Sequence, residues 1–341
     1  MEAVLVDVGK GTQDILIPIK GEAPENWIKA VLPSPTTKLA KRVREHRGKE
    51  LKLCGYTMGG GPLKKAVIEF IKRGGRAFAS PQAAKTFRDD LTQVKELGIE
   101  VVSEIEECDL CLRDLEFEVF KGLRALGGLK ENFEFIGVAC QDHGFIKGQS
   151  DRITRFNYLR ELLGKSRRPW ELYHTEETGF LSRFDSVLRQ IKDEGLRGFV
   201  MDSKLAAVAG VYSYAKEEGV REFVCIDCGN GHTLVSTVRD GLICGFLEHH
   251  TRMLTPDKLK NFMVKLIAGR ITFEEVYKDG GHGALFIESI KPEKVYLVGP
   301  NREKFKELGE YAYPLGDAML FGCAGLLEAL RGYGNEIFSP L

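Results

Sequence analysis

One short pattern occurs twice in this chain and limits what it can fold into. Asp7-Val8-Gly9-Lys10-Gly11-Thr12 follows the apolar run Val4–Val6 and leads into Ile15–Ile17. Asp227-Cys228-Gly229-Asn230-Gly231-His232-Thr233 follows Phe223–Ile226 and leads into a second strand-like run. Each copy reads as two strands joined by a Gly-rich turn, with a carboxylate at its mouth. A single such hairpin is ordinary, because Asp, Gly and Thr all stabilise turns. Two copies in 341 residues, more than a typical single domain, point to two domains or a duplicated one.

The chemistry of the pattern suggests a ligand. Glycine lets a ligand approach the main chain closely, and successive turn N–H groups form a concave anion site. Thr12 and Thr233 add hydroxyl donors. Bare carboxylates at Asp7 and Asp227 would repel a phosphate, so a cation must mediate. Mg²⁺ suits the role, since it needs only one or two carboxylates plus phosphate oxygens. Two such hairpins facing one another can hold a nucleoside triphosphate tail across a cleft; the alternative is two ordinary hairpins. Neither copy completes GxGxxG, because Asp14 and Leu234 occupy the last position, and no GxxxxGK[ST] is present. The Rossmann and P-loop readings therefore fail.

Between the hairpins, strand-like runs alternate with amphipathic ones, which argues for an α/β sheet. Strands are predicted at "KLCGY", "RAFAS", "IEVVSE" and 133–140, and helices at 37–47, after "TMGGGP", at 82–97 and at 116–126. Residues 144–180 show no clear period. A helix is predicted over 180–194, a strand over 198–202 and a small-residue helix over 203–219. Three consecutive strands, helices at 256–268 and 272–278, the strand "KVYLVG" and a last helix near 316–331 complete the pattern.

Lys plus Arg and Asp plus Glu number 49 each, so net charge offers no bulk attraction for nucleic acid or an acidic membrane. No apolar run has the length to cross a bilayer, and the acidic start at Glu2 does not read as a signal peptide. A cytoplasmic protein is expected, with its eight cysteines reduced.

The paired hairpins resemble the phosphate-1 and phosphate-2 motifs of the actin, Hsp70 and sugar-kinase ATPase superfamily. "VMDSKLAAVAGVYSYAKEEG" ahead of "FVCIDCGNGHTLVS" resembles the Hsp70 order of strand, Ala-rich crossover helix and second phosphate hairpin. "VYLVGPN" resembles the adenosine motif, with Pro300 where a second Gly is common, and "GDAMLFGCAGLLEAL" resembles the closing helix. "DVGKGTQDI", "GYTMGGGPLKKAV", "SPQAAKTFRDD" and "ACQDHGF" are similar to a mainly archaeal domain-of-unknown-function branch labelled a pyruvate formate-lyase activating enzyme. Such activases resemble radical SAM proteins, which need CxxxCxxC for an iron–sulfur cluster. Here Glu104 and Arg221 stand where a third cysteine would precede Cys108/Cys111 and Cys225/Cys228.

The resemblance implies an α/β fold of two RNase H-like domains with ATP and Mg²⁺ between them. The first would span residues 1–202 plus the closing helix 316–335, and the second 203–315. It puts Asp7, Gly9, Gly11 and Thr12 on the first phosphate motif, Asp227, Gly229, Gly231 and Thr233 on the second, and Gly299 on the adenosine motif. Asp7 and Asp227 would hold the metal. The implied activity is an Mg-dependent phosphotransferase or ATPase with an unidentified small-molecule acceptor. The alternative is a nucleotide-dependent activator of a partner enzyme, bearing a metal or a cluster shared between two subunits of a homodimer.

Other residues carry two readings each. Asp142 and His143, just past a strand end, can act as general base and substrate contact, or Asp142 can simply cap. Asp202 can orient a water or hold hydrated metal, or it can N-cap the helix starting at Ser203. Gly59, Gly60 and Gly61 before Pro62 can bind a substrate anion or form a tight turn. The two CxxC pairs admit zinc only if the fold joins them, and core packing explains Cys225 and Cys228 better. His249, His250 and His282 read first as loop or satisfied surface histidines.

Overall fold

The computed structural model describes residues 2–333. In chain order it contains β1 (Ala3–Val8), β2 (Thr12–Ile17), β3 (Ile28–Pro33), α1 (Pro35–Glu45), β4 (Glu50–Gly55), α2 (Gly61–Lys72) and β5 (Arg76–Ala79). Next come α3 (Pro81–Ala84), α4 (Leu91–Glu96), β6 (Ile99–Val101), β7 (Leu110–Leu112), α5 (Phe117–Leu126), β8 (Phe135–Cys140) and α6 (Asp151–Lys165). Then follow β9 (Tyr173–His174), α7 (Ser182–Asp193), β10 (Arg197–Asp202), α8 (Ser203–Glu217), β11 (Glu222–Cys228), β12 (His232–Arg239) and β13 (Leu242–His250). The chain finishes with α9 (Pro256–Ile267), α10 (Phe273–Lys278), β14 (Gly283–Phe286), β15 (Lys294–Val298), β16 (Glu310–Tyr311) and α11 (Phe321–Tyr333). Residues 334 and 335 of the predicted closing helix lie outside the described residues.

Two of the sheets share a plan. One runs β3-β2-β1-β8-β10-β9, the other β14-β13-β12-β11-β15-β16. In the first, β1 pairs antiparallel with β2 and parallel with β8, and β8 pairs parallel with β10. In the second, β11 pairs antiparallel with β12 and parallel with β15, which pairs parallel with β16. Both therefore carry an antiparallel three-strand meander continued by two parallel strands, the RNase H-like order. The sequence explains the central positions. AVLVDV and FIGVAC are buried throughout, as strands covered on both faces must be.

Helices α8 and α11 lie between the two sheets. One core joins β1, β8 and β10 to Leu205, Val208, Leu326 and Leu330, and on to Phe223, Cys225 and Tyr296 of the second sheet. The outer face of the second sheet forms a separate core with α9, through Ile226, Cys228, Leu259 and Phe262. Cys225 and Cys228 thus face opposite sides of one strand, as their odd spacing requires.

A third sheet, β6-β5-β4-β7, is wholly parallel and has its own core with α1 and α2. It is inserted between β3 and β8. The predicted helix over 82–97 is broken into α3 and α4 around Thr86–Asp90, a segment that lines the central cavity. Cysteine chemistry also departs from expectation. Cys54 is joined to Cys108 in a disulfide, while Cys111 and five buried cysteines are free. Parallel pairing of β4 with β7 sets Cys54 beside Cys111 and brings the segment ahead of β7 within reach. Among the described residues, no helix is long and apolar enough to cross a membrane.

Candidate functional site

The carboxyl ends of β1, β8, β11 and β15 converge, the place where open α/β sheets gather ligands. They border a cavity of about 610 Å³. Asp7, the last turn-facing acid of β1, and Asp227, its counterpart on β11, both line it, with Gly9, Thr12, Gly229 and Gly231. The two hairpin turns meet. A Cβ added at Gly11 would lie 2.7 Å from Asn230 Nδ2, so the tips of the two turns are side by side. Gly299, at φ +88°, packs behind the second hairpin, where a Cβ would come within 2.9 Å of Asp227 Oδ1. Pro300, and not Gly299, reaches the cavity.

The acids differ in their partners. Asp227 is buried and paired with Lys204, 2.5 Å away. Lys204 also donates to the His232 carbonyl at 2.9 Å. Burial favours a neutral Lys204, but Asp227 outweighs it and keeps the ammonium above its usual range. Asp7 has no ion-pair partner among the described residues. It sits against the first turn of α11, where a Cβ on Gly322 would overlap its carboxylate. Burial raises its pKa well above the ordinary value, and Asp14 and Asp227 add to the rise. Asp14, opposite Asp7 in the hairpin register, is itself pushed up to about 7 by burial.

Asp142, another carboxylate at the cavity, behaves as a cap. Its Oδ2 accepts from the N–H groups of Arg183 and Phe184 at the start of α7, and its Oδ1 from Gly144 N–H. Burial nevertheless lifts its pKa to about 6. Asp202 takes the other of its two readings. It is fully buried, caps α8 through Lys204 N–H, and is held by both terminal nitrogens of Arg155. It is absent from the cavity wall. Its place at a strand end suggested a water-orienting acid, but both oxygens are occupied.

Thr233 also departs from expectation. Five residues after Asp7 comes Thr12; five after Asp227 comes His232. Thr233 is one position further, so strand alternation turns it to the opposite face. There it bonds the Thr251 hydroxyl at 3.0 Å, and His232 lines the cavity in its stead.

Gly59, Gly60 and Gly61 line the opposite wall. A Cβ on Gly60 would lie 2.1 Å from the Thr86 carbonyl oxygen, and one on Gly59 2.9 Å from Arg183. The Thr86 backbone demands glycine at 60, and the guanidinium fixed by Asp114 crowds position 59, whereas a Cβ on Gly61 would meet only the flexible Lys10 side chain of the first hairpin, at 3.2 Å.

Several residues escaped sequence reading. Arg183 is fixed bidentately by Asp114, at 2.7 and 3.0 Å, and donates to the Val8 and Gln141 carbonyls. Lys204 carried a legible signal: a lone charge in the first turn of an otherwise small and apolar helix. His282, read as a surface loop residue, is buried beside His143 and His232. His249 is buried and satisfied by Asp279 at 2.9 Å.

A family described as "Putative pyruvate format-lyase activating enzyme (DUF1786)" matches residues 58–304. The chain belongs to this family. No curated protein matches it. Among solved structures, the ethanolamine utilization protein EutJ of Carboxydothermus hydrogenoformans is similar at 12% identity over 97% of this chain and 89% of that one, TM-score 0.35. The PilM-PilN type IV pilus biogenesis complex is similar at 14% identity over 98% and 99%, TM-score 0.39. The (R)-2-hydroxyglutaryl-CoA dehydratase component A of Acidaminococcus fermentans is similar at 10% identity over 98% and 100%, TM-score 0.34. The family's label names an activase, yet its cysteines are scattered here. Among the described residues no three of them form a metal-binding group.

Proposed function

We propose that this family member binds a Mg²⁺–nucleoside triphosphate, ATP, between its two Asp–Gly hairpins and transfers or hydrolyses the terminal phosphoryl group. Residues 1–202 with the closing helix form one lobe and residues 203–315 the other. The observation that carries this reading is the equivalence of the hairpins. Each leaves the central strand of one of two like-ordered sheets, and their acids line one cavity.

The residues fit a divalent cation. Asp7 is a buried carboxylate without an ion-pair partner among the described residues, and two more acids raise its pKa. Asp7 and Asp227 would hold Mg²⁺, which when bound neutralises phosphate charge. The turn N–H groups at Gly11 and Gly231 serve as preorganised donors to phosphate oxygens; those of Gly9 and Gly229 close the two hairpins on the Thr12 and His232 carbonyls, at 2.9 and 3.1 Å, and so hold the turns in shape. Lys204 supplies a fixed positive charge beside the second hairpin. Gly299 lets the turn after β15 pack directly against Asp227 and the Cys228 carbonyl behind the second hairpin, and Pro300 beside it borders the adenosine end. Asp142 lines the cavity with both oxygens held by the N–H groups of Arg183, Phe184 and Gly144, so its part is to fix the start of α7 and with it Arg183 at the cavity wall. His143 and Gly59–Gly61 border the acceptor end, which suits a small molecule.

Turnover of ATP with Mg²⁺ tests this directly. Asp7→Asn and Asp227→Asn should each reduce phosphate or ADP release by at least about 100-fold with the fold retained, as loss of a group acting on the transferred phosphoryl does. Wild-type rates in both variants would refute the assignment.

A further inference from the structure

Two histidines of the cavity wall, His143 and His232, meet a third, His282, buried beside them, and nucleotide binding uses none of the three. His143 lies in the loop after β8, His232 opens β12, and His282 immediately precedes β14. Three separate elements, one from the first sheet and two from the second, bring them together. One ligating atom from each lies within 4.8 Å of the others. Ring centroids are 5.4 Å apart for His143–His232, 5.4 Å for His143–His282 and 4.7 Å for His232–His282.

Their hydrogen bonds are incomplete in an informative way. His282 is 1% exposed, and its buried Nδ1 has no partner. Leaving such an atom unsatisfied costs about 1–3 kcal/mol, so a missing partner is the economical explanation. His232 is held by the Gln141 side chain. Gln141 Nε2 donates to Glu248 at 2.6 Å, which leaves its oxygen to accept from His232 Nδ1–H at 3.0 Å. That bond fixes the tautomer and frees the Nε2 lone pair, the usual second contact of a metal-ligating histidine. Glu248 is anchored in turn by Arg155 at 2.8 Å. Burial holds the His143 and His282 pKa values down to about 4 and about 3, so the rings are neutral near pH 7.

We propose that His143, His232 and His282 bind one divalent transition-metal ion of the zinc class, joining the two sheets across the cleft. Three imidazoles select such an ion over Mg²⁺ or Ca²⁺, which take oxygen donors. Zn–N bonds of about 2.0–2.1 Å set tetrahedral donors roughly 3.4 Å apart, so the rings need to close by little more than ~1 Å. Three protein ligands leave a fourth position for water or an acceptor oxygen, the arrangement of catalytic zinc sites. His143 and His232 both line the cavity, so a small molecule there can reach that position.

The test uses the full chain, stripped with chelator and titrated with Co²⁺. One Co²⁺ per chain is expected, with the visible absorption of four-coordinate cobalt, displaced by Zn²⁺. His143→Ala, His232→Ala and His282→Ala should each weaken binding by more than about 100-fold, and Gln141→Ala by about 10-fold. Asp7→Asn should bind Co²⁺ as the wild type does, which separates this site from the nucleotide reading. X-ray absorption of Zn-loaded wild type needs no variant, and should show a nitrogen and oxygen shell with imidazole scattering. No uptake by the wild type, unchanged uptake in folded histidine variants, or a sulfur shell would overturn the proposal.

Discussion

Arg155 has a side chain that is 0% exposed, between Asp202 of the first sheet and Glu248 of the second. Burial would raise the Glu248 pKa, yet Arg155 prevails and holds it below the usual carboxylate range. Arg155→Met would strand two buried carboxylates. It should cost about 3–5 kcal/mol in urea unfolding, the loss seen when one partner of a buried pair is removed. Asp202→Asn, which leaves the Glu248 bond in place, should cost less. The same residue explains a gap in sequence reading. An arginine in the middle of the buried face hides the apolar period of α6, and the partners that make its burial tolerable lie 47 and 93 residues away. Asp7, Gly9, Thr12, Asp227, Gly229 and Gly231 were legible at the cavity because the hairpin pattern is local. His282 and Arg183 were not, because only the folded chain gives them neighbours.

At the scale of elements, the crossing of α8 over α11 sets how closely the two sheets approach. A Cβ on Gly210 would lie 1.9 Å from the Phe321 carbonyl oxygen, and one on Gly325 1.8 Å from that of Ala206. Backbone atoms cannot yield, so Gly210→Ala and Gly325→Ala should each destabilise by about 1–3 kcal/mol. Gly122 in α5 is the contrast. Nothing lies within 4 Å of its added Cβ, so Gly122→Ala should stabilise by up to about 1 kcal/mol. Denaturation curves of the three variants separate the cases. Long periodic elements such as α8, α9 and the β11–β13 meander were readable from the sequence. The edge strands β3, β14 and β16 were not, since partly exposed edge strands gain their structure from the neighbour they pair with.

Over the whole molecule, two sheets of one order stand on either side of α8 and α11, and each contributes a hairpin, an acid and glycines to one cavity. The duplication was visible in the repeated motif, because both copies keep the same spacing from strand to carboxylate to glycine. The third sheet reads in sequence as more of the same α/β alternation. Only its separate core, built from Leu51, Leu53, Val67 and Phe70, marks it as a distinct layer. It brings Gly59–Gly61 and Lys85–Asp90 to the cavity wall, so the insertion shapes that side of the cavity. On the reading proposed above, the two hairpins hold one nucleotide together through a divalent ion. Calorimetric titration of ATP into the full chain, with and without Mg²⁺, tests it most directly. One site per chain is expected, requiring Mg²⁺ and lost in both Asp7→Asn and Asp227→Asn. Absence of binding, or binding that survives unchanged in either folded variant, would contradict it.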